Sequence, residues 1–231
     1  MPILALDGSL ARCSAAVLDR SGRVLAAAAE AAERGHATLL PVFAARVLEE
    51  AGLTAPRLAA VAVGIGPGGF TGLRAALALA QGIAFGAGGL PVIGVTTGEA
   101  LVAALSEEER RGRAVWAALD TRRGRIMLEH FAPGAALPEG PPAPFAEQDL
   151  PHPPGPVAVA GDAAPAVAAR LLARGADALL TGARLPDAVA VGRVALLRLA
   201  GLLPPRAAEE PLYGEPPAVR TPQPSPPAPA A

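Results

Sequence analysis

The sequence has no lysine. Its 20 basic residues are all arginine, set against 21 acidic ones, for a net charge of −1. That absence excludes a Walker-type phosphate lysine and every other lysine chemistry. The balanced charge argues against an obligate electrostatic grip on nucleic acid or on a membrane surface. Cysteine is almost missing too. Cys13 stands alone, so no intrachain disulfide can form, and a reduced, cytoplasmic setting is expected. Cys13 lies on an expected strand with no histidine near it in sequence, which reads as a buried structural thiol.

Histidine is equally scarce: His36, His130 and His152. A helical metal pair needs a second histidine at i+4, and the residue four after His36 is Leu40, so no metal is expected. The start, "MPILALDGS", has no basic region and reaches an aspartate at position 7, unlike a signal peptide. One stretch, 75–95, contains only Gln81 as a polar side chain. Its apolarity comes from Ala and Gly, and "GAGGLP" (Gly86 to Pro91) interrupts it, so no membrane span is expected.

What is present is periodic. "ILALD" (Ile3 to Asp7) reads as a buried strand, followed by two more strands around the turn "DRSG". "HATLLPVFAARVLEEAG" reads as a helix with Leu40, Phe43 and Val47 on one face and Gly52 as its stop. Pro41 is expected in its first turn, which places the start near Ala37 or Thr38. "LAAVAVG" and "PVIGV" are further strands, the second leading into a helix that ends near Glu109. The tetrads "ALDG" and "ALDT", centred on Asp7 and Asp120, sit at the same point of two strand–turn–strand units. They indicate a repeat of two α/β lobes. The first lobe is expected over 1–110 and a smaller one over 111–213, with 132–156 as a proline-rich irregular connection. Asp187 is a good N-cap for a last helix. Residues 214–231 are Pro/Ala-rich and expected to be disordered.

"VAVGIGPGGFTGLRAALALAQGIAFG" (Val61 to Gly86) joins a strand to a helix through a glycine-rich loop. Backbone N–H groups at such a helix start, with Thr71 as its cap, could hold an anion. Yet the loop has neither a GK[ST] ending nor GxGxxG spacing. A tight turn that brings strand and helix close is the alternative. The helix behind it is small on more than one face, through Ala75, Ala76, Ala78, Ala80, Gly82, Ala84 and Gly86. Either it is packed within the chain on both sides, or one face meets a second polypeptide.

These residues, with "HATLLPVF" and "LALDGSLARCSAAVLD", resemble the TsaB (YeaZ) family, the non-catalytic subunit of the bacterial machinery for threonylcarbamoyladenosine in tRNA. The likeness is strongest over 3–97 and continues through "ALDTRRGRIML", "AGDAA" and "EPLYG". It implies an α/β fold of two actin-like lobes (ribonuclease H-like, ASKHA superfamily), with mixed sheets flanked by helices. It implies no chemistry of its own, a TsaD-type transferase as partner, a recruited TsaE ATPase, and tRNA reached through the complex. A homodimer is implied for the free protein, and no cofactor, with a nucleotide only at a junction with the partner. The catalytic relative carries a His-x-x-x-His metal pair where this chain has "HATLL".

The partner surface implied comprises Leu39, Leu40, Phe43, Val47, Phe70, Arg74, Ala78, Gln81 and Gly82. A vestigial phosphate-binding set would comprise Asp7, Gly8, Ser9, Gly66, Gly68, Gly69 and Asp120. The sequence departs from the family at Gly8, where Thr is usual, and at Ile65 and Gly69 of the loop. The alternative reading is an actin-like ATP-dependent enzyme, or a metallopeptidase-like protein acting on its own. Arg110–Arg113 and Arg122–Arg125 read as solvated turns, so any tRNA contact would be auxiliary.

Overall fold

A computed structural model describes residues 1–213, so the tail over 214–231 lies outside the described residues. The chain opens with the antiparallel meander β1 (Ile3–Asp7), β2 (Arg12–Leu18) and β3 (Val24–Ala31). Helix α1 (His36–Glu50) follows, then β4 (Ala60–Gly66), α2 (Phe70–Gly86) and β5 (Val92–Thr96). β4 runs parallel to β1 and β5 parallel to β4, giving the order β3-β2-β1-β4-β5. Every residue of β1 and β4 is buried, because helices cover both faces of this sheet. Leu4 and Leu6 point into the core under α1 and α2, whereas Ile3 and Ala5 point into the opposite core.

The second sheet repeats the plan. β6 (Ala114–Asp120), β7 (Ile126–Phe131) and β8 (Ala143–Phe145) form its meander, and β9 (Val157–Ala160) and β10 (Ala178–Leu180) add parallel strands. Read from the β8 edge its order is β8-β7-β6-β9-β10, strand for strand that of the first sheet. The inferred repeat is therefore real and reaches well beyond the tetrads. Helix α5 (Ala164–Ala173) covers one face of this sheet. Helix α3 (Thr97–Ala104) covers the other through Leu101 and Val102. Because α3 also contacts β4 and β5, it joins the two lobes.

Several sequence expectations need correction. The proline-rich connection contains β8, a three-residue edge strand that tolerates Pro144 because an edge residue need not donate to a ladder. The helix expected to run to Glu109 is two, α3 and the single turn α4 (Glu107–Arg110), because Ser106 caps a new start with Glu109. α1 begins at His36, so Pro41 lies beyond its first turn. There Pro41 and Ala37 are both exposed, and water can meet the carbonyl left free. The last helix, α6 (Ala188–Leu199), has Asp187 as its N-cap, accepting from Ala190 N at 2.8 Å, as expected. It packs, however, on β1, β2 and β4 of the first sheet and on α3, rather than on the second sheet whose residues it follows. Gly192 makes that approach possible, since a Cβ there would stand 2.5 Å from Leu18 Cδ1. Among the described residues no helix is long and apolar enough to cross a membrane.

Candidate functional site

Asp7 ends β1 fully buried. Its carboxylate accepts from Ser9 N and, with both oxygens, from Ser9 Oγ, all at 3.1 Å. Burial pushes its pKa from 3.8 up to about 7. The Ser9 bonds oppose the rise, the Asp187 charge adds to it and Arg12 opposes it. The glycine loop closes directly over this turn. Gly69 N donates to Ser9 O at 2.7 Å. A Cβ on Gly68 would overlap Ser9 O, one on Gly72 would overlap Gly8 O, and one on Gly64 would overlap Asp7 Oδ2. The remaining side of the loop is tied by Thr97 Oγ1, which donates to Pro67 O at 2.7 Å. The Gly66–Pro67 peptide bond is cis.

Asp7, Gly8, Ser9, Gly68 and Gly69 are thus brought together, but backbone against backbone. The glycines serve close approach, with Gly69 N bonded to Ser9 O and Gly72 of α2 against Gly8 O. Gly69, not Thr71, is the N-cap of α2, and no side chain caps that end. Gly66 sits at φ 102° and faces Leu212 O. Asp120 is not part of this assembly. It is exposed. Its Oδ1 accepts from Arg122 N at 2.7 Å, and its N donates to Asp162 Oδ1 at 2.9 Å. The Arg122 guanidinium lies 3.6 Å from Asp120 and 3.8 Å from Asp162. Burial holds the Asp162 carboxyl above its usual range.

His36 is buried at the start of α1, with Nε2 3.0 Å from Leu10 O. Leu40 fills the next turn and is fully buried. Among the described residues no group of three or more His, Cys, Asp or Glu is placed to hold a metal ion. Cys13 is a free, buried thiol that burial pushes up to about 11, beyond easy ionisation. Two cavities of about 360 and 380 Å³ share Arg12 and Asp187 in their linings, and neither includes a residue of the glycine loop.

The residues expected to form a partner surface divide into two groups. Leu40, Phe43 and Val47 are core residues, packed beneath α1 with β1, β2 and β4, so they cannot meet a partner directly. Leu39 is half-buried. Phe70, Arg74, Ala78, Gln81 and Gly82 are exposed and, with Phe85, form one stripe along α2. Phe85 is 86% exposed and Phe70 52%, and Val42 on the neighbouring α1 is 59% exposed. A Cβ on Gly82 would meet nothing within 4 Å. Val42 and Phe85 were missed because the apolar period of each helix marks the face turned to its own sheet.

One further cluster had no sequence signal. Glu99 of α3 is buried, 2.6 Å from Arg198 of α6 and 3.6 Å from Arg206. Glu129 of β7 enters from the second lobe, its Oε2 accepting from Thr96 Oγ1 at 3.5 Å. A Cβ on Gly98 would overlap that same oxygen. Burial, then the Glu99 charge, pushes Glu129 up to about 7.

Two lobes of one strand order, joined by α3 and by the return of α6, define an actin-like protein of the ASKHA type. Residues 27–132 match the family model described as TsaD, tRNA N6-adenosine threonylcarbamoyltransferase. The chain is 36% identical over 128 residues to the tRNA threonylcarbamoyladenosine biosynthesis protein TsaB of Haemophilus influenzae, covering 55% of this chain and 52% of that one. It is 34% identical over 132 residues to TsaB of Escherichia coli, covering 57% and 55%. The chain thus spans about half the length of the curated relatives it matches. YeaZ from Pseudomonas aeruginosa superposes with a TM-score of 0.76 at 29% identity, over 92% of this chain and 99% of that one. The chain is thus similar to proteins named TsaB and YeaZ, in part of its sequence and in its fold.

Proposed function

We propose that this protein is an accessory subunit in the formation of threonylcarbamoyladenosine in tRNA. It pairs with a TsaD-type transferase through the exposed stripe of α2 and the neighbouring face of α1. Relatives bearing the TsaB name support the process. The observation that carries the docking face is Gly82. A glycine inside a helix costs about 1 kcal/mol relative to alanine. Here no neighbour among the described residues requires it, and it stands in a stripe with Ala78 and the exposed rings of Phe70 and Phe85. Close approach of a second backbone accounts for that composition. When the transferase is absent the same face pairs two copies of the chain. The TsaE-type ATPase joins the assembled pair, tRNA is held by the complex, and the setting is cytoplasmic. The chain supplies no catalytic group.

Reconstitution tests this. The transferase, the ATPase and this chain are combined with tRNA, and the modified nucleoside is measured. Ala78→Arg leaves the free chain folded, because residue 78 is exposed. It buries an unpaired charge on docking, so modification falls about a hundredfold or more. Equal modification with the wild type, with Ala78→Arg and with the chain omitted overturns the proposal. ATP hydrolysis or peptidase activity by the purified chain alone favours the enzyme reading instead.

A further inference from the structure

Residues 206–213 cross the first lobe as a strap. Gly94 N donates to Arg206 O at 3.0 Å, and Ile93 pairs with Ala207 in an antiparallel bridge, so the strap caps the open edge of β5. Gln81 Nε2 donates to Ala208 O at 3.0 Å, and Leu212 N donates to Ile65 O at 2.7 Å. The lobe makes room for this course. A Cβ on Gly94 would stand 2.7 Å from Ala207 O, and one on Gly66 the same distance from Leu212 O.

The strap ends on the α2 stripe. The Tyr213 ring stacks on Phe70 with centroids 5.7 Å apart and planes at 23°. Arg74 Nε donates to the Tyr213 hydroxyl at 2.8 Å, and the Arg74 guanidinium lies 3.9 Å from the Phe70 centroid. Phe70 and Tyr213 nevertheless stay 52% and 38% exposed, so the cluster is presented to solvent.

We infer that the strap is part of the partner face. Tyr213 holds Phe70 and Arg74 in one arrangement and adds its own ring to the surface that meets the transferase. This rests on the pairing proposed above. The partner it fits is a protein of the same architecture, since the transferase model matches the stretch of this chain that holds α1 and α2. A free Arg and a free Phe would each lose rotamer freedom on docking. Here that loss is taken in folding, so association does not carry it. Tyr213 is a positioning residue that also contributes aromatic area where such area is most effective.

Affinity for the TsaD-type transferase is measured by calorimetry on the full chain and its variants, with thermal unfolding of each free variant alongside. Tyr213→Ala weakens binding about tenfold or more, while its unfolding midpoint stays within ~2 °C of wild type. Tyr213→Phe keeps the stack and recovers binding to within about threefold. A chain ending at Gly214 binds like the full chain. A chain ending at Pro205 binds at least as weakly as Tyr213→Ala. Wild-type affinity in Tyr213→Ala, with binding lost in Ala78→Arg, overturns the strap inference and leaves the pairing standing. Undiminished binding in Ala78→Arg, or none in the wild type, overturns the pairing and the strap inference with it. Should the Pro205 truncation unfold, the Ala and Phe variants at 213 still decide.

Discussion

The two aspartate turns begin from nearly the same tetrad and end in opposite environments. Asp7 closes β1 inside the protein and is held by Ser9 under the glycine loop. Asp120 closes β6 in the open and is held by Arg122 and Asp162. The loop before α2 and the start of that helix close over the first turn backbone to backbone, whereas the loop between β9 and α5 meets the second through the Asp162 side chain. The repeat therefore conserves the strand order and not the use of its turns. One turn is a packing centre beneath α2, and the other is a solvated corner.

The largest effect that would break this contrast is steric. Gly72→Ala drives a Cβ into Gly8 O, and moving that backbone should cost about 3 kcal/mol or more in urea unfolding. In the second turn Gly124→Ala meets nothing within 4 Å, although φ is +72°, so about 1 kcal/mol is expected. Equal costs would mean that the two turns are packed alike.

The next effect is electrostatic and depends on pH. Unfolded Asp7 ionises near 3.8, whereas the folded group keeps its proton to about 7. Between those values the native state binds more protons than the unfolded one, so stability falls as pH rises through that window and levels off above it. The difference corresponds to ~4 kcal/mol. Asp7→Asn should flatten this part of the stability–pH curve, leaving the smaller slope from Glu129, which burial raises in the same direction. A variant curve parallel to wild type from pH 4 to 7 would show that burial does not raise the Asp7 carboxyl. The smallest effect belongs to the open turn. Arg122→Ala removes exposed ion pairs and should change stability by ~0–1 kcal/mol.

Much of the chain was legible because its signals are local. The run Ile3 to Asp7, the Asp187 cap and the repeat around Asp7 and Asp120 rest on residues a few positions apart. The exposed faces of α1 and α2 were half legible. Periodicity in α1 found Leu40, Phe43 and Val47, but apolar period reports the face a helix turns to its own core. The exposed stripe is what that face leaves over, and only α2 declared it, through Ala78 and Gly82. β8 escaped because three residues around a proline carry no strand period. The buried Glu99–Arg198 pair and the contact of Arg74 with Tyr213 join residues 99 and 139 positions apart, and nothing local announces either.

Composition and spacing alone exclude lysine chemistry and disulfides, and they set out two lobes built on strand, aspartate turn and strand. Whether the glycine loop cradles an anion or its own chain was left open there. Packing adds that the loop lies against the Ser9 carbonyl and the first turn of α2 against the Gly8 carbonyl. Burial decided which aspartate is desolvated, and the return of α6 and the strap decided what covers the first lobe. Each of these depends on atoms brought together from distant parts of the chain, and that distance is what a linear pattern does not encode.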